Sequence, residues 1–139
     1  MTPTPIHPHG RPAPLGHYTP GVKFGECLYI SGQLPGQGEP SAQNLPLEMQ
    51  ARRALASLLE VLKAAGGTPE DLLKVTVYLV GVEHWPAFNA VYADVLRDAR
   101  PARSVVPVPA LHHGYLVEID AVAAVRPTDP STRSPTGSA

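Results

Sequence analysis

The sequence predicts an α+β domain, a mixed β-sheet with two helices packed on one face. Three observations carry that expectation. The apolar pattern switches between two-residue alternation and three-and-four spacing, giving the order strand, helix, strand, helix, strand, strand. A chain of 139 residues is long enough to bury one core and too short for two. Six of the 17 prolines fall in the first twenty residues and three in the last thirteen, while residues 47–100 contain only Pro69 and Pro86, so regular structure concentrates in the middle. The ordered domain is expected from Tyr18 to Arg126, preceded by a Pro-rich flexible arm over residues 1–17. A disordered tail, Pro127 to Ala139, follows; it is made of Pro, Ser, Thr, Gly and few apolar groups.

A short extended segment at Tyr18 to Lys23 opens the domain. Lys23-Phe24-Gly25 reads as a turn, and Glu26 to Ser31 as a strand ended by Gly32. Gln33 to Asn44 is a loop, because Pro35, Gly36, Gly38 and Pro40 deny it regular structure. Leu47, Ala51, Ala54, Leu58, Leu62 and Ala65 then recur at helical spacing, and Gly66-Gly67 stops that helix. Thr68-Pro69-Glu70-Asp71 has capping-box order and predicts one helical turn leading into the strand Leu72 to Val80, with Leu73, Val75, Val77 and Leu79 on one face. Pro86 opens a second helix whose Trp85, Phe88, Tyr92, Val95 and Leu96 close over the sheet. Ser104 to Val108 and Leu116 to Val125 are two further strands, expected to form a hairpin around His112-His113-Gly114.

On the last strand Val117, Ile119, Ala121 and Ala123 face one way and Glu118, Asp120 and Val122 the other. The second face meets either solvent or another subunit or ligand. Leu28, Ile30, Tyr78 and Val80 favour the latter, being hard to place if only the helix side is covered.

Composition narrows the function. Lys+Arg 11 against Asp+Glu 12, a net charge of -1 without any run of like charge, is not the footprint of a nucleic-acid binder. The longest apolar stretch, Val75 to Val82, is far short of the roughly 20 residues that span a bilayer, so no membrane partner is expected. Cys27 is the single cysteine and reads as a small apolar strand residue. A cytoplasmic protein with a small-molecule partner is the reading. His112 and His113 are adjacent and point apart, and His7, His9 and His17 lie in the arm, so none of them is assigned to a metal.

Six segments in series resemble a known family: Tyr18-Thr19-Pro20-Gly21-Val22, Ser31-Gly32-Gln33-Leu34-Pro35, Val75-Thr76-Val77-Tyr78-Leu79, Phe88-Asn89-Ala90-Val91-Tyr92, Pro101-Ala102-Arg103-Ser104 and Val117-Glu118-Ile119-Asp120-Ala121. In this order and spacing the chain resembles the Rid family of reactive-intermediate deaminases, also called the YjgF family and often labelled L-PSP endoribonuclease. The resemblance implies a chorismate-mutase-like subunit in a homotrimer, with ligand clefts at the subunit boundaries and no metal or organic cofactor. It also implies hydrolysis of 2-imino and 2-enamino acids, of the 2-aminoacrylate type, to 2-keto acids and ammonia.

The residues the resemblance singles out suit that chemistry. Arg103 has the planar fork that pairs with a substrate carboxylate. Glu118 is the carboxylate that orients water toward the C=N carbon. Tyr18 and Ser31 supply hydroxyls for the substrate or for proton transfer, and Gly32 exposes a backbone N–H. Val105 stands where many members have cysteine, which leaves only backbone contact with the substrate there. Asn89 is assigned to loop hydrogen bonding rather than to chemistry. Pro107 and Pro109 delete two strand N–H donors and confine that strand to an edge or a bulge. Leu111-His112 replaces the usual Leu-Pro turn, and Tyr115 a typically small residue. The alternative from another class is a non-catalytic trimeric ligand-binding or regulatory protein of the same family; an RNase reading ranks third on charge.

Overall fold

The computed structural model describes residues 1–36, 39 and 41–127. Six strands form one sheet: β1 (Thr4–Ile6), β2 (Gly21–Phe24), β3 (Cys27–Gln33), β4 (Leu72–Val80), β5 (Ala102–Val108) and β6 (Val117–Ala124). Their spatial order is β1-β2-β3-β6-β4-β5, antiparallel except for the parallel pair β4 and β5. Two helices complete the α+β fold, α1 (Leu47–Ala64) and α2 (Trp85–Leu96).

Local sequence explains the elements that form. Helix α1 starts after Pro46 with Glu48 in its first turn and Lys63 in its last, charges that complement the helix dipole. It stops where Gly66 takes φ +88, a conformation that favours glycine. The capping turn follows as expected, with the Thr68 N–H donating to Asp71 Oδ2 at 2.8 Å. The core then gathers Leu28 and Ile30 of β3, Val75, Val77 and Leu79 of β4, and Val117, Ile119, Ala121 and Ala123 of β6. It closes against Ala51, Leu55, Leu58 and Leu62 of α1 and Phe88, Val91 and Tyr92 of α2, all buried. Burying each large aliphatic or aromatic side chain contributes about 1.5–3 kcal/mol, so this shared layer holds the domain together.

Four expectations are corrected. Strands β5 and β6 do not form a hairpin: β4 lies between them, parallel to β5 and antiparallel to β6, because the long strand can satisfy a partner on each side. The segment expected as a flexible arm over residues 1–17 contributes β1, which pairs with β2 in the register Thr4 to Lys23, and it also places Arg11 against the domain. Leu73 is exposed and Leu72 buried, since a register shift between Leu72 and Lys74 turns the strand by one residue. Leu28 and Ile30 face the helices; the apolar residues of the second face are instead Tyr29, Tyr78, Val80, Val106 and Val122. Strand β5 is an edge strand, as Pro107 requires, and Pro109 lies just beyond its end. The tail expected from Pro127 lies, beyond Pro127 itself, outside the described residues.

Candidate active site

The residues singled out by the sequence fall into two groups. The first is built around a bulge in β3. Ile30 is paired with Ala121 and Gln33 with Ile119, so Ser31 and Gly32 together face the single intervening residue of β6, Asp120. The Ser31 N–H donates to Pro20 O at 2.9 Å and its Oγ to Thr19 O at 2.6 Å, which ties the Tyr18 segment to the bulge. The Ser31 hydroxyl proton is therefore committed to backbone, and its contribution is to place Tyr18. Gly32 is glycine for want of space: a Cβ there would overlap Glu118 Oε2.

Glu118 lies on the second face of the sheet, in register with Tyr78. Its carboxyl is held above the usual range, first by burial and then by the Asp120 charge, with His112 pulling in the opposite direction. Tyr78 donates to Asp120 Oδ2 at 3.1 Å. Beside this group opens a cavity of about 370 Å³ whose walls include Arg11, Tyr18, Gly32, Gln33, His112 and His113.

The second group surrounds Arg103, on β5. Arg103 is in register with Val75, so it points to the helix side of the sheet, as Val105 does two residues on. Its Nη1 donates to Asn89 Oδ1 at 3.0 Å, and its guanidinium lies 4.6 Å from the Tyr92 ring centroid and 4.8 Å from that of Trp85. Trp85, Asn89 and Tyr92 stand at positions i, i+4 and i+7 of α2, a single helix face. Neither Asn89 as the partner of Arg103 nor the two rings as its platform was assigned from sequence. The available signal was one amide within that otherwise aromatic stripe. An apolar cavity of about 260 Å³ adjoins, lined by Leu79, Val82, Trp85, Val105 and Pro107.

The structure thus brings Tyr18, Ser31, Gly32 and Glu118 together, and Arg103 together with Val105, but it does not unite the two sets. They lie on opposite faces of the sheet with β4 between them.

A family model described as Endoribonuclease L-PSP matches residues 9–125, nearly the whole described fold. The chain belongs to the L-PSP family, the Rid or YjgF family. Among its Rid relatives, the 2-iminobutanoate/2-iminopropanoate deaminase of Capra hircus is 38% identical over 118 residues, covering 84% of this chain and 85% of that protein. A RutC family protein of Pyrococcus horikoshii is 35% identical over 121 residues, covering 85% and 94%. The crystal structure of the YjgF gene product of E. coli superposes with a TM-score of 0.78 at 31% identity, covering 88% of this chain and 99% of that one. E. coli TdcF with bound serine superposes at 0.77 and 29% identity, covering 87% and 98%. No helix among the described residues of this Rid protein is long and apolar enough to cross a membrane.

Proposed function

We propose that this chain is a hydrolytic deaminase of 2-imino and 2-enamino acids, acting as a homotrimer without metal or organic cofactor. The observation that carries the reading is the splayed Arg103. Its guanidinium is pre-oriented by Asn89 and two aromatic faces, and Asn89 takes up only Nη1, so it presents a planar fork suited to a carboxylate. The deaminase name of the mammalian relatives, and the amino acid held by the TdcF neighbour, support a small carboxylate ligand.

The groups present suffice for the chemistry. Arg103 binds the substrate carboxylate, leaving the adjacent C=N carbon exposed. Glu118 takes a proton from water as the water oxygen bonds to that carbon and passes it to nitrogen, then takes the proton of the new hydroxyl and delivers it to the same nitrogen as the carbonyl forms. The C–N bond breaks, and a 2-keto acid and ammonia leave. Tyr18 supplies a hydroxyl for tautomerising the enamine. Because the imine is already electrophilic, positioning contributes most of the acceleration.

Arg103 and Glu118 meet one substrate only if they come from different copies of the chain, which is the support for a cleft at a subunit boundary. The uncovered apolar residues on the second face, Tyr29, Tyr78, Val80, Val106 and Val122, add to it. The test generates imines with an amino-acid oxidase and follows their capture by semicarbazide. The protein should lower the rate of semicarbazone formation, and an unchanged rate across several amino acids would remove the reading. Light scattering should give three times the 14.7 kDa chain. A non-catalytic ligand-binding protein is the second reading, because the ligand in TdcF, serine, is an amino acid and not an imine. Keto-acid binding without turnover would select it.

A further inference from the structure

The N-terminal segment carries a largely covered cation. The Arg11 side chain is only 10% exposed, with Glu60 Oε1 at 3.4 Å on its outer side. Inward, Nη1 donates to Gln33 Oε1 at 2.8 Å and Nη2 to Ser57 O at 3.1 Å. Gln33 is itself buried, and its Nε2 donates to Ser31 O at 2.9 Å.

These bonds have a direction. A guanidinium only donates, so Gln33 must turn its carbonyl oxygen toward Arg11, and its amide nitrogen is thereby turned toward Ser31 O. Ser31 and Gly32 sit in the register gap between Ile30 and Gln33, where the ladder to β6 is interrupted. The bond from Gln33 holds this stretch in place of the interrupted ladder. Glu118 in turn packs against Gly32 so closely that a Cβ would overlap it.

We propose that Arg11 is a positioning residue for the Glu118 side of the cleft, orienting the Gln33 carboxamide so that it fixes the Ser31–Gly32 bulge on which Glu118 rests. The proposal builds on the reading of Glu118 as the group that handles water. Without a donor at position 11 the buried carboxamide oxygen loses its partner, and the bond to Ser31 O alone is left to hold the orientation of Gln33. The bulge then relaxes, and Glu118 loses its seat. Arg103, on the other face of the sheet, is untouched, so the loss falls on turnover and not on carboxylate binding.

A bare structural pin predicts something different, and Gln33→Glu separates the two. A carboxylate at position 33 keeps and strengthens the bond from Arg11 but has no N–H for Ser31 O. The experiment compares Arg11→Met, Arg11→Lys and Gln33→Glu in the full chain by steady-state imine hydrolysis and by amide hydrogen exchange at Ser31, whose N–H donates to Pro20 O. Arg11→Met should lower kcat about tenfold with KM within about twofold, and Arg11→Lys should recover part of it. Gln33→Glu should lose kcat to a similar extent while its Tm stays near wild type. Ser31 exchange should be about tenfold faster in Arg11→Met and Gln33→Glu. Wild-type kcat and wild-type exchange in Gln33→Glu would reduce Arg11 to a pin and overturn the proposal. Unchanged exchange in all three variants would overturn it whether or not the protein hydrolyses any imine. Faster exchange in a protein inactive on every imine would keep Arg11 as the residue that fixes the bulge and remove only the deaminase reading.

Discussion

Arg103 and Glu118 lie on opposite faces of one sheet, on strands separated by β4. A ligand held by both is expected to take one residue from each of two copies, which makes the composition of the cleft testable by mixing. The Arg103→Ala and Glu118→Gln variants should each be nearly inactive. Co-expressed in equal amounts, they should regain about a quarter of wild-type activity, the chance that an interface joins an intact Arg103 face to an intact Glu118 face. Activity no greater than that of the separate variants would place both residues in one chain's site.

Removing the guanidinium should cost the substrate its anchor and spare the fold. Arg103→Ala is expected to reduce kcat/KM by roughly 30- to 5,000-fold, the range for losing a charge-assisted pair worth about 2–5 kcal/mol in a partly desolvated cleft. Its stacking on Tyr92 and Trp85 contributes about 0.5–1 kcal/mol per ring at this half-buried position, so Tm should fall by only a few degrees. Arg103→Lys should restore part of the activity, keeping the charge without the fork. Asn89→Ala should give a smaller loss, about fivefold, because it loosens the guanidinium without removing it.

Glu118 should show a trade between activity and stability that depends on pH. Its carboxyl is raised above the usual ~4.3, so ionisation is less favourable in the folded chain than in the unfolded one. The stabilisation this gives is complete in acid, below the unfolded value, and is lost as pH rises through the folded one. Glu118→Gln, which cannot ionise, should therefore have a higher Tm than wild type at pH 7, with the difference closing below about pH 4. In the same variant turnover should drop, and wild-type activity should rise with pH through the raised Glu118 value. Equal melting temperatures across that range would contradict the burial assigned to this carboxylate.

Gly32→Ala should act on chemistry more than on stability. The added Cβ would overlap the end of the Glu118 side chain, which can swing aside with little cost to the fold but only by abandoning its seat. A fall in kcat of about tenfold or more with a nearly unchanged melting curve is expected. A normal kcat would mean that Glu118 works from another rotamer.

What the sequence conveyed was local. The periods of α1, β4 and α2 could be read directly because each is fixed by neighbours a few residues away, and the Thr68 capping turn likewise. The insertion of β6 between β3 and β4 is a non-local pairing that no window of sequence encodes, and the expected hairpin failed for that reason. Leu73 escaped because a bulge resets alternation by one residue. Arg103, Glu118, Tyr18 and Gly32 were named from motif positions, yet their division between two faces depends on strand order and stayed hidden. Arg11 gave no signal at all: a single cation among prolines looks like solvent-exposed chain until Gln33 and Ser57 are folded beneath it.

Both outer strands of the sheet contain a proline, Pro5 in β1 and Pro107 in β5. Neither residue has a backbone N–H to donate, and the two stand on opposite edges of the sheet. A six-stranded sheet with apolar residues on its uncovered face is otherwise a template for fibril growth. A proline at each margin makes the sheet a poor template for edge-to-edge propagation.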